Sequence, residues 1–171
     1  GDLYLALTEK KAVCTGYAKF YQNLANAVGL ESHFVEGMVK TSEGASVAHA
    51  RNWVKLEGNY YLVDSTWNDT FDKDENDPYG QYEWMNIPLN YSGKIREDEI
   101  FGPIFKTIKT RGKDCKFTYF GKNGLYVEKD KIVETIERKV KELKARKNTK
   151  PKDWSFSVYN YDLTEKEIEK I

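Results

Sequence analysis

Residues 46–64 read SVAHARNWVKLEGNYYLVD, and this stretch decides the fold. Two runs rich in β-branched and aromatic residues flank Glu57-Gly58-Asn59, so the pattern predicts two strands joined by a tight turn. The first begins near Val47 and carries His49 toward Leu56; the second runs from Tyr60 to Val63. Such a hairpin sets His49 and Asp64 on neighbouring strands. Residues 34–39 read as a further strand, and the small, polar stretch TSEGAS at 41–46 as the loop that precedes the hairpin.

Working outward, Tyr17, Phe20, Tyr21, Leu24 and Val28 recur at three- and four-residue steps before Gly29, which predicts an amphipathic helix with a glycine stop. Cys14 falls just before this helix or in its first turn. Beyond the hairpin, residues 68–80 (NDTFDKDENDPYG) read as a polar surface loop. Residues 81–110 show no clean period. Residues 116–120 and 125–127 flank a Gly-Lys-Asn-Gly turn and read as a second hairpin. Ile132, Val133, Ile136, Val140 and Leu143 trace one helix face, with basic residues in the last turns to suit the helix dipole. Trp154, Phe156 and Val158 alternate as a last strand, and Thr164 with Glu167 has capping-box spacing for a short terminal helix.

The 171 residues are enough for one domain with a sizeable core. Lys plus Arg and Asp plus Glu both number 27, so no net positive charge draws the chain to nucleic acid or an anionic membrane. The Lys-rich segment 139–150 is accordingly read as a solvated helix face rather than a nucleic-acid site. No apolar run approaches the ~20 residues of a membrane span, and no targeting segment is visible at the start. The chain opens on Gly and brings Cys14 close to its first residue, so an excised piece of a longer protein is expected. Two cysteines define no disulfide framework, and Cys115 is not expected to pair with Cys14.

A thiol is a strong nucleophile only as thiolate, and a helix N-terminus and a neighbouring imidazole both favour that form. Cys14 meets the first condition by position. The imidazole in turn needs a partner that fixes its tautomer and supports its charge, the part that Asp plays in nucleophilic triads. His49 and Asp64 on one hairpin are that combination.

Three segments carry these residues in order: AVCTGYA at 12–18, HARNWV at 49–54 and GNYYLVDSTWND at 58–69. Together they resemble the transglutaminase-like superfamily, in which a cysteine followed by Gly-Tyr-Ala opens a helix, His-Ala-x-Asn starts a strand, and Val-Asp-x-Thr-Trp ends the next. The resemblance covers about residues 4–90. It implies an α+β, papain-like core in which a helix with Cys14 at its N-terminus packs on an antiparallel β-sheet. Residues 1–171 are then one transglutaminase-like domain, with catalytic motifs in 1–90 and a strand-helix-strand extension in 91–171. The implied roles are Cys14 as nucleophile, His49 as base and then acid, and Asp64 as its orienting partner, with the Cys14 backbone N–H in an oxyanion hole.

Two departures bear on the cleft. Arg51 stands where the commoner His-Ala-Trp-Asn form has Trp, with Trp53 two residues on, so both are candidate substrate contacts. Little chain precedes Cys14 to supply a second oxyanion donor, which leaves Tyr4. Trp67 is a further candidate contact, although packing under the hairpin end is its plainer role; Asn52 is expected to bond backbone and His33 to be a surface or packing residue. The implied reaction is cysteine-dependent acyl transfer on a peptide, amide or isopeptide bond through a thioester, protease- or amidase-like, with a protein or peptide substrate and no cofactor. A cross-linking transglutaminase and a non-catalytic transglutaminase-like binding module are the alternatives. Relatives with this pattern are often bacterial and secreted or surface-attached, so a cell-surface or cell-wall setting is expected. Asp72, Asp74, Asn76 and Glu83 match part of a calcium loop, but Asp77 stands where glycine is needed. A zinc site from Cys14, His49 and Asp64 lacks the usual close-spaced ligand pair.

Overall fold

The computed structural model describes residues 8, 12–40, 44–69, 82–88, 111–146, 158–160, 163 and 165–168. Tyr4, the acidic positions 72–77, Trp154, Phe156 and Thr164 lie outside the described residues. Strands β1 (Ser32–Lys40), β2 (Ser46–Leu56), β3 (Asn59–Val63) and β4 (Ile87–Pro88) form one antiparallel sheet in the order β1-β2-β3-β4. Helix α1 (Cys14–Ala27) precedes the sheet and α2 (Ser65–Asp69) follows β3 at once. The architecture is α+β, with the Cys14 helix packed on the sheet.

The hairpin forms as expected, with a tighter turn. Leu56 pairs with Asn59, so Asn59 opens β3 and only Glu57 and Gly58 turn the chain. Both have positive φ, 48° and 81°, the combination a two-residue type I′ turn requires. Alternation along the strands then sorts side chains to two faces. Val35, Val39, Trp53, Leu62 and Ile87 form the core on one face, and Val54, Tyr61 and Val63 that on the other.

Helix α1 lies against the second face, where Tyr21 packs on the Val54 cluster and Asn52 Nδ2 donates to the Ala18 carbonyl at 2.8 Å. That approach is close because small residues face the sheet: Gly16, Ala18 and Ala25 are the buried ones. The expected stripe is therefore rotated, since Leu24 and Val28 are exposed. Large side chains define the period, but the positions that become fully buried against the sheet are small ones, with Tyr21 packing beside them. The helix ends as expected at Gly29, whose φ of 80° supports a Schellman turn with Gly29 N–H on Asn26 O and Leu30 N–H on Ala25 O.

Two other expectations change. Asn68 and Asp69 belong to α2 rather than to a loop, because Asp64 caps that helix by accepting the Trp67 N–H at 3.0 Å. The second hairpin is absent. Cys115–Phe117 form a 3₁₀ turn, followed by helix α3 (Tyr119–Lys122). Asp114 Oδ1 accepts from Lys116 N–H and Thr118 Oγ1 accepts from Gly121 N–H, so the polar residues punctuating this run act as caps and claim the backbone for helical turns. Tyr126 instead bridges Tyr159 in parallel. A Cβ at Gly121 would overlap the Cys115 carbonyl. Gly121→Ala is accordingly expected to cost about 1–3 kcal/mol, read as a lower urea midpoint at unchanged slope; an unchanged midpoint would contradict this packing.

After a 3₁₀ turn at Lys129–Lys131, helix α4 spans Ile132–Lys144 and buries Ile132 and Leu143, while Val133 on the expected face is exposed. A short helix α5 (Glu165–Ile168) follows where one was expected. The segment after residue 110 docks on the hairpin: Gly112 N–H donates to Tyr60 O at 2.9 Å, and Cys115 and Phe120 join the core cluster of Trp53 and Leu62. No helix among the described residues is long and apolar enough to cross a membrane.

Candidate active site

Asp64 sits at the junction of β3 and α2, wholly buried. Its two oxygens are used differently. Oδ1 caps α2 through Trp67 N–H, while Oδ2 faces the imidazole of His49, whose Nε2 lies 2.7 Å away, and accepts from Arg51 Nε at 2.8 Å. In strand register Val63 pairs with Asn52, so Asp64 lies one step past the sheet near Arg51, and His49 reaches it diagonally. His49 and Arg51 share a strand face because they are two residues apart. The Asp64 carboxylate accepts from Nε2–H, which leaves Nδ1 of His49 with the lone pair.

Two tryptophans roof this cluster. The Trp67 ring stacks on His49 at 4.7 Å and 18°, and the Arg51 guanidinium carbon lies 4.2 Å from the same ring. Trp84 meets Trp67 edge-on at 4.4 Å and is itself 5.3 Å from the guanidinium. Trp84 comes from the stretch without a period. Its place is held by backbone, with Asp64 N–H donating to Trp84 O and Trp84 N–H to Asn68 Oδ1.

Cys14 opens α1 after Val13, which offers no side-chain cap, and the first turn carries no acid. Cys14, Thr15, Glu36, Gly37, Met38, Ala48 and His49 line one cleft of about 540 Å³. Opposite His49 in the β1–β2 register stands Gly37, which has no side chain to lay beside the imidazole. Neither half-buried Cys14 nor buried Cys115 takes part in a disulfide. Among the described residues no hydrogen bond joins Cys14 to His49. Tyr17, one turn along from Cys14, donates its hydroxyl to Asp69 of α2, and that bond with partial burial pushes the phenol up from its ordinary value. The contact ties the start of α1 to the helix that Asp64 caps.

These placements correct part of the expected cleft. Arg51 and Trp53 are 0% and 1% exposed, so neither meets substrate. The strand alternation that puts them with His49 also turns them into the core, Arg51 onto Asp64 and Trp53 among Val35, Val39 and Leu62. His33 pairs with Trp53, four positions along β2 from His49, and bonds Glu31, whose carboxyl is held down at about 2 by Tyr60, His33 and Lys55. No group of three or more metal-ligating side chains occurs among the described residues.

Residues 1–69 match the transglutaminase-like superfamily. The match ends at Asp69, the last residue of α2, so it takes in Cys14, β1, the hairpin and Asp64 with its helix. No curated protein matches the chain. Members of the superfamily are generally enzymes, and the match supports cysteine-based acyl-transfer or protease-like chemistry in general. Around this site, Tyr17, Asp69 and Trp84 are the supporting residues that sequence reasoning passed over. The Gly-Tyr-Ala after Cys14 was a usable signal for Tyr17; nothing local marked the other two.

Proposed function

We propose that Cys14, His49 and Asp64 are a catalytic triad for acyl transfer on a peptide, amide or isopeptide bond, with hydrolysis as the outcome. The observation that carries the reading is the short contact of His49 Nε2 with buried Asp64, in an imidazole that lines the same cleft as Cys14. Asp64 holds the proton on Nε2 and so presents Nδ1 as the base. Nδ1 takes the Cys14 proton, and the thiolate attacks the substrate carbonyl carbon. The oxyanion that forms meets the Cys14 N–H at the uncapped start of α1, where the helix dipole also favours negative charge. His49 returns the proton to the departing amine as the C–N bond breaks, leaving a thioester. Water, deprotonated by His49, then releases the acid and restores the thiol.

Residues 91–171 complete the same domain in this reading, supported by Cys115 and Phe120 in the core behind the hairpin. The substrate is a protein or peptide, admitted by a cleft open to solvent at half-buried Cys14.

The test is the pH dependence of Cys14 alkylation by iodoacetamide, read by mass spectrometry in the wild type and in His49→Ala, with buried Cys115 as internal control. Cys14 is expected to react well below the ~8.5 of a free thiol and to lose that acid-side reactivity without His49. Ordinary thiol behaviour in both proteins would end the triad reading.

A further inference from the structure

Arg51 stands beside Asp64 at the position where the commoner form of the motif has Trp. Its Nε and the Nε2 of His49 meet the same carboxylate oxygen, at 2.8 and 2.7 Å. The guanidinium is wholly buried beneath Trp67 and Trp84. A guanidinium keeps its proton in a protein, so this positive charge is permanent. We propose that Arg51 is a built-in counter-ion of Asp64 that raises the pH at which Cys14 becomes reactive, relative to the same triad with a neutral residue at position 51.

The inference rests on the triad reading and deepens it. Forming the thiolate–imidazolium pair places a positive charge on His49, and Asp64 is the group that stabilises it. One carboxylate charge then faces two cations on one oxygen in a water-poor site, where like charges disfavour each other strongly. Arg51 also attracts the thiolate, but it shares an oxygen with the imidazole and, among the described residues, bonds nothing of Cys14. Repulsion of the imidazolium is therefore the larger effect. Other ionisable groups bear on the site from each neighbouring element: Glu36 of β1 lines the cleft, and Tyr17 of α1 is bonded to Asp69 of α2. All remain when position 51 alone is changed, so the comparison isolates the guanidinium. Arg51 is thus a positioning and charge-setting residue rather than a substrate contact.

The experiment is the iodoacetamide pH profile of Cys14 in Arg51→Gln and in Arg51→Trp, the second chosen because Trp is the commoner residue of the motif and fills the buried site. Near-UV circular dichroism identifies which variant keeps the native packing, and that variant is read. The midpoint of labelling is expected about one pH unit below the wild type, which is roughly tenfold faster labelling at a fixed acid pH. An unchanged or higher midpoint, with the wild type still dependent on His49, overturns the inference and leaves the triad standing. A wild-type profile indifferent to His49→Ala removes the triad, and this inference with it. Loss of native packing in both variants would assign Arg51 to folding alone and overturn the inference as well.

Discussion

Asp64→Ala is expected to destabilise the protein by about 3–5 kcal/mol, the range for removing one partner of a buried ion pair. The reason is what remains behind. Arg51 keeps a permanent charge at 0% exposure and loses the carboxylate that accepts its Nε–H. Trp67 N–H loses its cap and α2 its N-terminal anchor, in a helix of only five residues. His49, stacked on Trp67, loses the group that orients it. Asp64→Asn should cost less, since its carbonyl oxygen can still cap α2 while the charge is gone. Urea unfolding followed by fluorescence measures both, because Trp53, Trp67 and Trp84 report on the core. A loss below about 1 kcal/mol for the alanine variant would mean that the fold does not depend on this junction.

Cys14→Ala is expected to abolish turnover of an activated ester such as p-nitrophenyl acetate, by roughly a thousandfold or more, with His49→Ala close to it. The two residues act as one unit in the proposed mechanism, so the double variant should be no slower than the slower single variant. Multiplicative losses would instead describe two independent contributions and contradict the mechanism. Cys14 is half-buried at the start of α1, and its replacement by Ala should leave the urea midpoint nearly unchanged. Acyl-enzyme formed on Cys14, located by peptide mass spectrometry, separates nucleophilic chemistry from general base hydrolysis by His49.

Much of the site is legible in local sequence because the determinants are local. Glu57-Gly58 sets the hairpin register through a turn that needs two positive φ values, and alternation follows from that register. Gly29 ends α1 for the same kind of reason. Residues 116–127 misled because a short apolar run has no decisive period, and Asp114 and Thr118 read as interruptions of strands when they are caps. The α1 stripe misled differently. Period alone marks an amphipathic helix, but which of its faces is buried depends on how near the sheet lies, and Asn52 bonding to the Ala18 carbonyl draws them close.

By itself the sequence determined that a cysteine at a helix start is followed in order by a histidine-bearing strand and an aspartate at the end of its hairpin partner. Those are properties of turns, caps and period, all set within a few residues. Only the tertiary structure decided that Arg51 and Trp53 face inward, that Arg51 and His49 divide one oxygen of Asp64, and that Trp84 closes over them. Strand alternation states that two residues share a face but not what covers it. Burial and charge pairing depend on segments far apart in the chain, and those meet only when the sheet is packed.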